Sequence, residues 1–369
     1  MDNIQDMIKE ISLSEEQHVI ATITHVDGSA YRKEGTIMFF SESGKQMGMI
    51  SGGCLEEDLQ QKAMTLLANP HLRAQTTYYN MKSEDESGWG RGAGCNGAIH
   101  ILIEKVDDVL QKHLKKINAH LHAGLAVTLI KEIIPIEGAH SEHDTTHVIV
   151  HTRLIPDASN IADTPLLHHS LSEKSRKKHQ TIFSQTIRPK PKLFIFGAGI
   201  DVRPFALFSR QIGFDVTVWD WRPNLLKQDH FPKIRLVDEP SIKEAILKTR
   251  ITSGDYVVIM THDFQKDKEI LQHMLQIESL RYLGVLGPRR RTKRLLQDRP
   301  KLKSRTFKRR TTIPDHLRSP VGLPIGADGP DEIAISILAD LILTKQGNSA
   351  EKGSSNGSTS SNRHLFSSR

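Results

Sequence analysis

Two cysteines and three glycine-rich turns hold much of the chemistry this sequence offers. Cys54 follows Ser51-Gly52-Gly53 and precedes Leu55-Glu56, where an apolar run gives way to a helical pattern. Consecutive glycines before a helix start expose backbone N–H groups and a partial positive charge, a setting for an anion or a thiolate. Cys95 closes Gly88-Trp89-Gly90-Arg91-Gly92-Ala93-Gly94, and with Asn96-Gly97 the segment carries five glycines in ten residues. A loop that dense in glycine lets the backbone approach a ligand closely. Arg91 and Gly94 are candidate contacts within it, and Arg32, in the turn Gly28-Ser29-Ala30-Tyr31-Arg32, is a candidate partner for an anion. A cysteine also packs as a small buried hydrophobe, so residue type alone leaves both roles open.

A fourth glycine turn follows the strand-like run KLFIF: Gly197-Ala198-Gly199-Ile200-Asp201-Val202, with Pro204 in the first turn of the ensuing helix. Gly197 suits the tight turn, and Gly199 suits backbone approach to a pyrophosphate. Asp220, about 20 residues on at the end of the next strand, suits a ribose hydroxyl. Val202 stands where the third glycine or alanine of that pattern would be. The turn serves either a nucleotide in this cleft or only the chain reversal. His262, at the end of DYVVIM, is expected at the ligand-binding edge of the sheet, as an acid or base or as the cap of the following helix. Arg289, the first of three arginines after YLGVLGP, is expected near the same edge, facing an anion or solvent.

These residues need scaffolds of two kinds. Up to about residue 188, the runs HVIATITHV, TIMFF, MGMIS, RAQTTYYN and AIHILIEKV are β-rich and separated by glycine turns, with one helical stretch from Leu55 to about Leu67. They predict an N-terminal α+β domain over 1–188. From 189 to 346 apolar runs alternate with helical patterns, the signature of a Rossmann-like, doubly wound parallel sheet in an α/β protein. A last helix from Asp331 to about Lys345 places Ile333, Ile337, Leu338 and Leu341 on one face. Residues 347–369, with eight serines in 23 positions, predict a disordered tail.

Composition narrows the function classes. The 369 residues are 37% hydrophobic and 25% charged, an ordinary globular balance with no apolar run near the ~20 residues of a membrane span. Two cysteines exclude a disulfide framework, and the mixed charges of MDNIQDMIKEIS are unlike a secretory leader, so the chain reads as cytoplasmic with no membrane partner. The net charge of +7 includes the tail and the run RPKLKSRTFKRR, which has no nucleic-acid module around it and predicts a solvated loop and no nucleic-acid partner. Ten of the nineteen histidines lie between His113 and His179 without ligand spacing, as surface histidines would.

Taken together, GSAYRKEG (28–35), GMISGGCLEEDL (48–59), GWGRGAGCNGAIHILIE (88–104), FIFGAGIDVRP (194–204), VTVWDWRP (216–223), THDFQKD (261–267), YLGVLGPRRR (282–291) and PVGLPIGADGPDEIAISILADLI (320–342) resemble the XdhC/CoxI family of xanthine dehydrogenase accessory factors. Ile200-Asp201-Val202, Pro288 and Asn96 depart from the family's commoner residues. The resemblance implies a cytoplasmic chaperone of purine catabolism. It would bind the molybdenum cofactor, a pyranopterin that is often nucleotide-extended, protect it during sulfuration and deliver it to apo xanthine dehydrogenase or a related hydroxylase. It further implies a cysteine desulfurase or sulfurase as partner and a homodimer. Cys95 and Cys54 become the candidate metal-protecting or sulfur-relaying groups, with Arg32, Ser51, Gly52, Gly53, Glu56, Arg91 and Gly94 around them. Gly197, Gly199, Asp220, His262 and Arg289 form a possible nucleotide cleft. Two readings from other classes compete: an NAD(P)-dependent oxidoreductase and a scaffold subunit of the dehydrogenase.

Overall fold

The computed structural model describes residues 4–81, 97–141, 145–156, 180–277, 279–297 and 317–350. The chain divides into two compact units, Met1–Lys190 and Pro191–Arg369. The first is built on strands β1 (His18–Gly28), β2 (Ile37–Ser41), β3 (Gln46–Gly48), β4 (Ala74–Asn80), β5 (Gly97–Lys105), β6 (Val127–Ser141), β7 (Thr145–Pro156) and β8 (Thr181–Ile187). They form one eight-stranded sheet in the order β3-β2-β1-β5-β4-β7-β6-β8, with every pairing antiparallel.

Among the described residues, three helices cover this sheet. Helix α2 (Glu56–Ala68) buries Leu59, Ala63 and Leu66 at helical spacing on one sheet face, against Val19, Ala21, Ile23, Tyr79, Ile99 and Ile101. Burying each leucine is worth about 1.5–3 kcal/mol. Asp58 of α2 takes the Tyr79 hydroxyl and the Lys62 ammonium, tying the helix to β4. Helices α1 (Ile4–Leu13) and α3 (Asp108–His122) pack on the opposite face with Ile20, Phe39 and Leu129. The Asp107 carboxylate caps α3 by accepting from Leu110 N–H at 2.9 Å.

The second unit carries β9 (Lys192–Phe196), β10 (Asp215–Trp219), β11 (Arg235–Val237), β12 (Tyr256–Ile259), β13 (Tyr282–Val285) and β14 (Leu317–Arg318). Their order is β11-β10-β9-β12-β13-β14 and all pairings are parallel, the 3-2-1-4-5-6 arrangement of a dinucleotide-type sheet. Strand β9 reads as a continuous apolar run because both its faces are buried: Leu193 and Ile195 meet α4 (Val202–Gln211) and α8 (Gly329–Ala350). Phe194 and Phe196 meet the layer holding α5 (Ile242–Thr249), α6 (Phe264–Met274) and α7 (Arg289–Gln297). The last helix packs its Ile337, Leu338 and Leu341 on this sheet. It runs on to Ala350, four residues into the segment expected to be disordered. Residues 351–369 and the basic run after Gln297 lie outside the described residues.

Candidate functional site

The antiparallel register brings the glycine turns of the first unit to one sheet end. Strand β1 stops at Gly28 opposite Gly97, where β5 begins, and β4 stops at Asn80 opposite Ala98. On the other side β2 starts at Ile37 opposite Thr22, and Gly48 ends β3 opposite Met38. The connections 29–36 and 49–55 therefore leave from the edge at which residues 82–96 depart and return. That last segment, with Arg91, Gly94 and Cys95, lies outside the described residues. Its two flanks meet directly, Met81 N–H donating to Gly97 O at 2.9 Å.

Contacts between the turns are close. Arg32 Nε donates to Met49 O at 3.3 Å, joining the first turn to the second. The Tyr31 ring lies against Gly52, its nearest atoms 3.6 Å from where a Cβ would project. At Gly97 a Cβ would fall 2.4 Å from Asp27 O and 2.5 Å from Ser29 O, so only glycine lets β5 begin there. Cys54 stands exposed and free between Gly53 and Leu55.

Glu56 gives the second turn its shape. Its carboxylate accepts from Ile50 N–H at 2.9 Å, Ser51 N–H at 2.7 Å, Gly53 N–H at 2.9 Å and Leu55 N–H at 3.2 Å, and from the Ser51 hydroxyl. Ser51 Oγ in turn accepts from Leu55 N–H at 2.8 Å. Burial opposes ionisation of Glu56, but these hydrogen bonds outweigh it and hold the carboxyl at about 2. Of the candidate ligand contacts in this turn, Glu56 and Ser51 thus close the loop on itself, and the N–H groups expected to receive an anion receive the protein's own carboxylate. Gly52 and Gly53 stay on the exposed side with Cys54.

Sequence reasoning missed a cluster of histidines and carboxylates on the same edge. Asp27 bridges His25 Nε2 at 3.1 Å and His100 Nε2 at 3.4 Å, while His25 Nδ1 meets Glu34 at 2.9 Å and the His100 ring contacts Tyr78. The alternation of His25 and Asp27 about Val26, which packs on the α2 side, was the available signal. Among the described residues no group of three His, Cys, Asp or Glu side chains could hold a metal ion.

The second unit places Gly197, Gly199 and His262 at the carboxyl ends of β9 and β12, neighbouring strands at the switch point. Gly197 has φ +122°, and a Cβ there would sit 2.4 Å from Met260 O, so the approach of β12 alone requires glycine. Val202 opens α4 and is fully buried in the core. Asp220 is only 1% exposed and does not stand open to a ribose. Its Oδ2 accepts Ala198 N–H at 2.8 Å and Arg222 Nη2 at 2.9 Å, and its Oδ1 accepts Arg222 N–H and Nε, both at 2.9 Å. The sequence pattern identified the acidic residue but not the arginine two positions on that occupies it.

His262 adopts φ +62°, an uncommon backbone for a histidine, and its Nε2 meets Asp201 Oδ2 at 2.7 Å. It does not cap the next helix: Asp263 does, accepting from Lys266 N–H at 2.8 Å. Arg289 is exposed at the start of α7, whereas Arg291 reaches back to the buried Asp267 at 2.6 Å. Thr261 holds the other oxygen of Asp267, through its hydroxyl and its N–H.

Comparison with known proteins places both units. Residues 193–341 match the model described as the XdhC Rossmann domain, and residues 13–79 match that of the XdhC and CoxI family. A Bacillus subtilis protein named as a probable xanthine dehydrogenase subunit is 37% identical over 346 residues, 94% of this chain and 98% of that protein. The molybdenum cofactor insertion chaperone PaoD of Escherichia coli is 21% identical over 341 residues, 90% of this chain and 85% of that one. Among solved structures, that of a xanthine dehydrogenase from Bacillus halodurans is 37% identical, with a TM-score of 0.72 over 93% of this chain and 96% of that chain.

Proposed function

We propose a function from one premise, that the chain belongs to the XdhC and CoxI family: it binds the molybdenum cofactor as cargo, protects it during sulfuration and delivers it to an apo xanthine dehydrogenase or related hydroxylase. The observation that carries the reading is the convergence, at one sheet end, of two glycine-rich turns and both flanks of a third, beside the exposed thiol of Cys54. The name of the Escherichia coli relative, a molybdenum cofactor insertion chaperone, supports the same reading.

The donor set suits such a cargo. A phosphorylated pyranopterin presents an anionic end, for which Arg32 and Arg91 supply cations and Gly52, Gly53 and Gly94 supply backbone that a ligand can approach. Its dithiolene-bound metal prefers soft donors, which Cys95 and Cys54 provide. Glu56 and Ser51 fix the turn that presents Cys54. Sulfur arrives from a cysteine desulfurase or sulfurase, and the working unit is a homodimer. Among the described residues no helix is long and apolar enough to cross a membrane.

The test is the molybdenum and oxidised-pterin content of protein purified without reductant from a molybdate-fed host, beside Cys95→Ala and Cys54→Ala. The expected result is near-equimolar pterin in the wild type and its loss in at least one variant. Absence of pterin from folded wild type overturns the reading. The Bacillus subtilis relative is named for membership of the dehydrogenase itself, which favours a scaffold as second reading. Stable co-purification with mature dehydrogenase would establish that alternative, since a chaperone departs after loading.

A further inference from the structure

The eight-stranded sheet of the first unit is covered unevenly. On one face α1 and α3 reach over β6 and β8, burying Val127, Leu129 and Ile187. On the other face α2 packs with residues of β1, β2, β4 and β5, and no residue of β6, β7 or β8 joins that cluster. Among the described residues, the reverse face of β7, β6 and β8 therefore has no helix over it.

The strand register says which side chains stand on this face. Ile149 is opposite Ile134, His151 is opposite Glu132, and Arg153 is opposite Ile130. On the far side of β6, Ile182 of β8 is also opposite Glu132. Residues directly opposite in an antiparallel pair share a face. The alternate residues Ile133, Val148 and Phe183 are buried on the other face. Ile149, Ile155 and Ile182 are 50%, 38% and 37% exposed, and with Ile130 and Ile134 they belong to none of the unit's core clusters.

A solvated face of an antiparallel sheet is polar at alternate positions, whereas β6 and β7 carry isoleucines on both faces, as strands buried on both sides do. The isoleucines surround charges of both signs, Glu132 beside His151 with the exposed Arg153 one row along. Such a patch is self-complementary. A two-fold axis running along the strands between β6 and β7 would lay Ile134 of each copy on Ile149 of the other, and Glu132 on His151.

We infer that this face of β6, β7 and β8 is where two copies of the chain meet, sheet on sheet. The inference rests on the homodimer of the proposed function and supplies its surface; it does not depend on which cargo the chain carries.

Analytical ultracentrifugation of the full chain tests it. Wild type is expected to be a dimer. Ile149→Glu and Ile182→Glu change exposed side chains on two different strands, and each is expected to raise the dimer dissociation constant about tenfold or more while circular dichroism stays that of wild type. Leu343→Glu, at an exposed leucine of α8 in the second unit, is expected to remain dimeric. Glu132→Arg and His151→Glu are each expected to weaken self-association, and an equal mixture of the two is expected to form the heterodimer, in which each new charge meets its opposite. A monomeric wild type overturns the homodimer and this face together. A dimer that persists in both Ile149→Glu and Ile182→Glu, or is lost in Leu343→Glu, overturns this face alone. Failure of the cargo reading shows separately, as absent pterin, and leaves these outcomes unchanged.

Discussion

Both sheet edges carry a glycine-rich turn at a strand-to-helix junction, and in both a carboxylate from the chain itself takes up N–H groups of the turn. In the first unit Glu56 does so from the opening residue of α2, collecting donors from Ile50, Ser51, Gly53 and Leu55. In the second, Asp220 does so from the end of the neighbouring strand and is clamped by Arg222. The two edges differ in what remains outside. The first leaves a thiol and a phenol ring in solvent; the second leaves a guanidinium and an ammonium flanking an indole. A glycine turn with an acidic residue therefore tells how the turn is closed, and the side chains left over tell what it can receive.

Asp220→Ala sharpens this contrast most. It strands Ala198 N–H in the interior and frees Arg222 from its anchor, and removing one partner of a buried pair costs about 3–5 kcal/mol. Because the arginine can rehydrate, the lower figure, about 3 kcal/mol, is expected in urea unfolding. A loss below about 1 kcal/mol would mean that the buried contacts of Asp220 contribute little to stability.

Glu56→Gln probes the other closure through pH. The folded-state pKa of about 2 lies below the ordinary 4.5, so the carboxylate contributes stability that is complete above pH 4.5 and is lost as the pH falls through about 2. After discounting for solvent screening, the contribution is about 2 kcal/mol. The variant should be less stable than wild type by that amount at pH 7, with the gap closing toward pH 2. A gap that stays constant with pH would show that shape, not charge, holds the loop. Ser51→Ala removes one donor to Glu56 and one acceptor of Leu55 N–H, and a smaller loss of about 1 kcal/mol is expected by the same melts.

The sequence made the second unit more legible than the first. In β9, β10, β12 and β13 short apolar runs alternate with amphipathic helices, and that alternation has few solutions other than a doubly wound parallel sheet. The first unit's strands were visible as runs, but their order was not, because the pairing of β4 with β7 joins residues about 70 apart and no local pattern encodes it. The turns at Gly28, Gly52 and Gly97 were recognisable one by one; their meeting at one edge is a consequence of strand register. Asp220 stands out in the sequence by its spacing from Gly197, but nothing in Asp220-Trp221-Arg222 says that the arginine folds back onto the carboxylate. Glu56 is legible as a residue of the second glycine turn, whereas the four N–H groups it accepts there follow from the loop's fold and not from its spacing.

Tyr31→Ala carries the smallest stability effect and the sharpest reading of the first edge. The ring is 55% exposed and rests on Gly52, and the side chain of the neighbouring Arg32 is tied to Met49 O. A ring in that position adds little to the core, so the substitution should change stability by under about 0.5 kcal/mol. A flat pterin seated among these turns would stack on it, and stacking of a base on an aromatic side chain is worth about 1–3 kcal/mol. Retention of pterin through gel filtration should therefore fall about five- to a hundredfold in Tyr31→Ala and survive in Tyr31→Phe, which keeps the ring and loses the hydroxyl. Equal retention in all three proteins would make the exposed phenol a bystander and leave the exposed thiol of Cys54 as the candidate contact in the second turn.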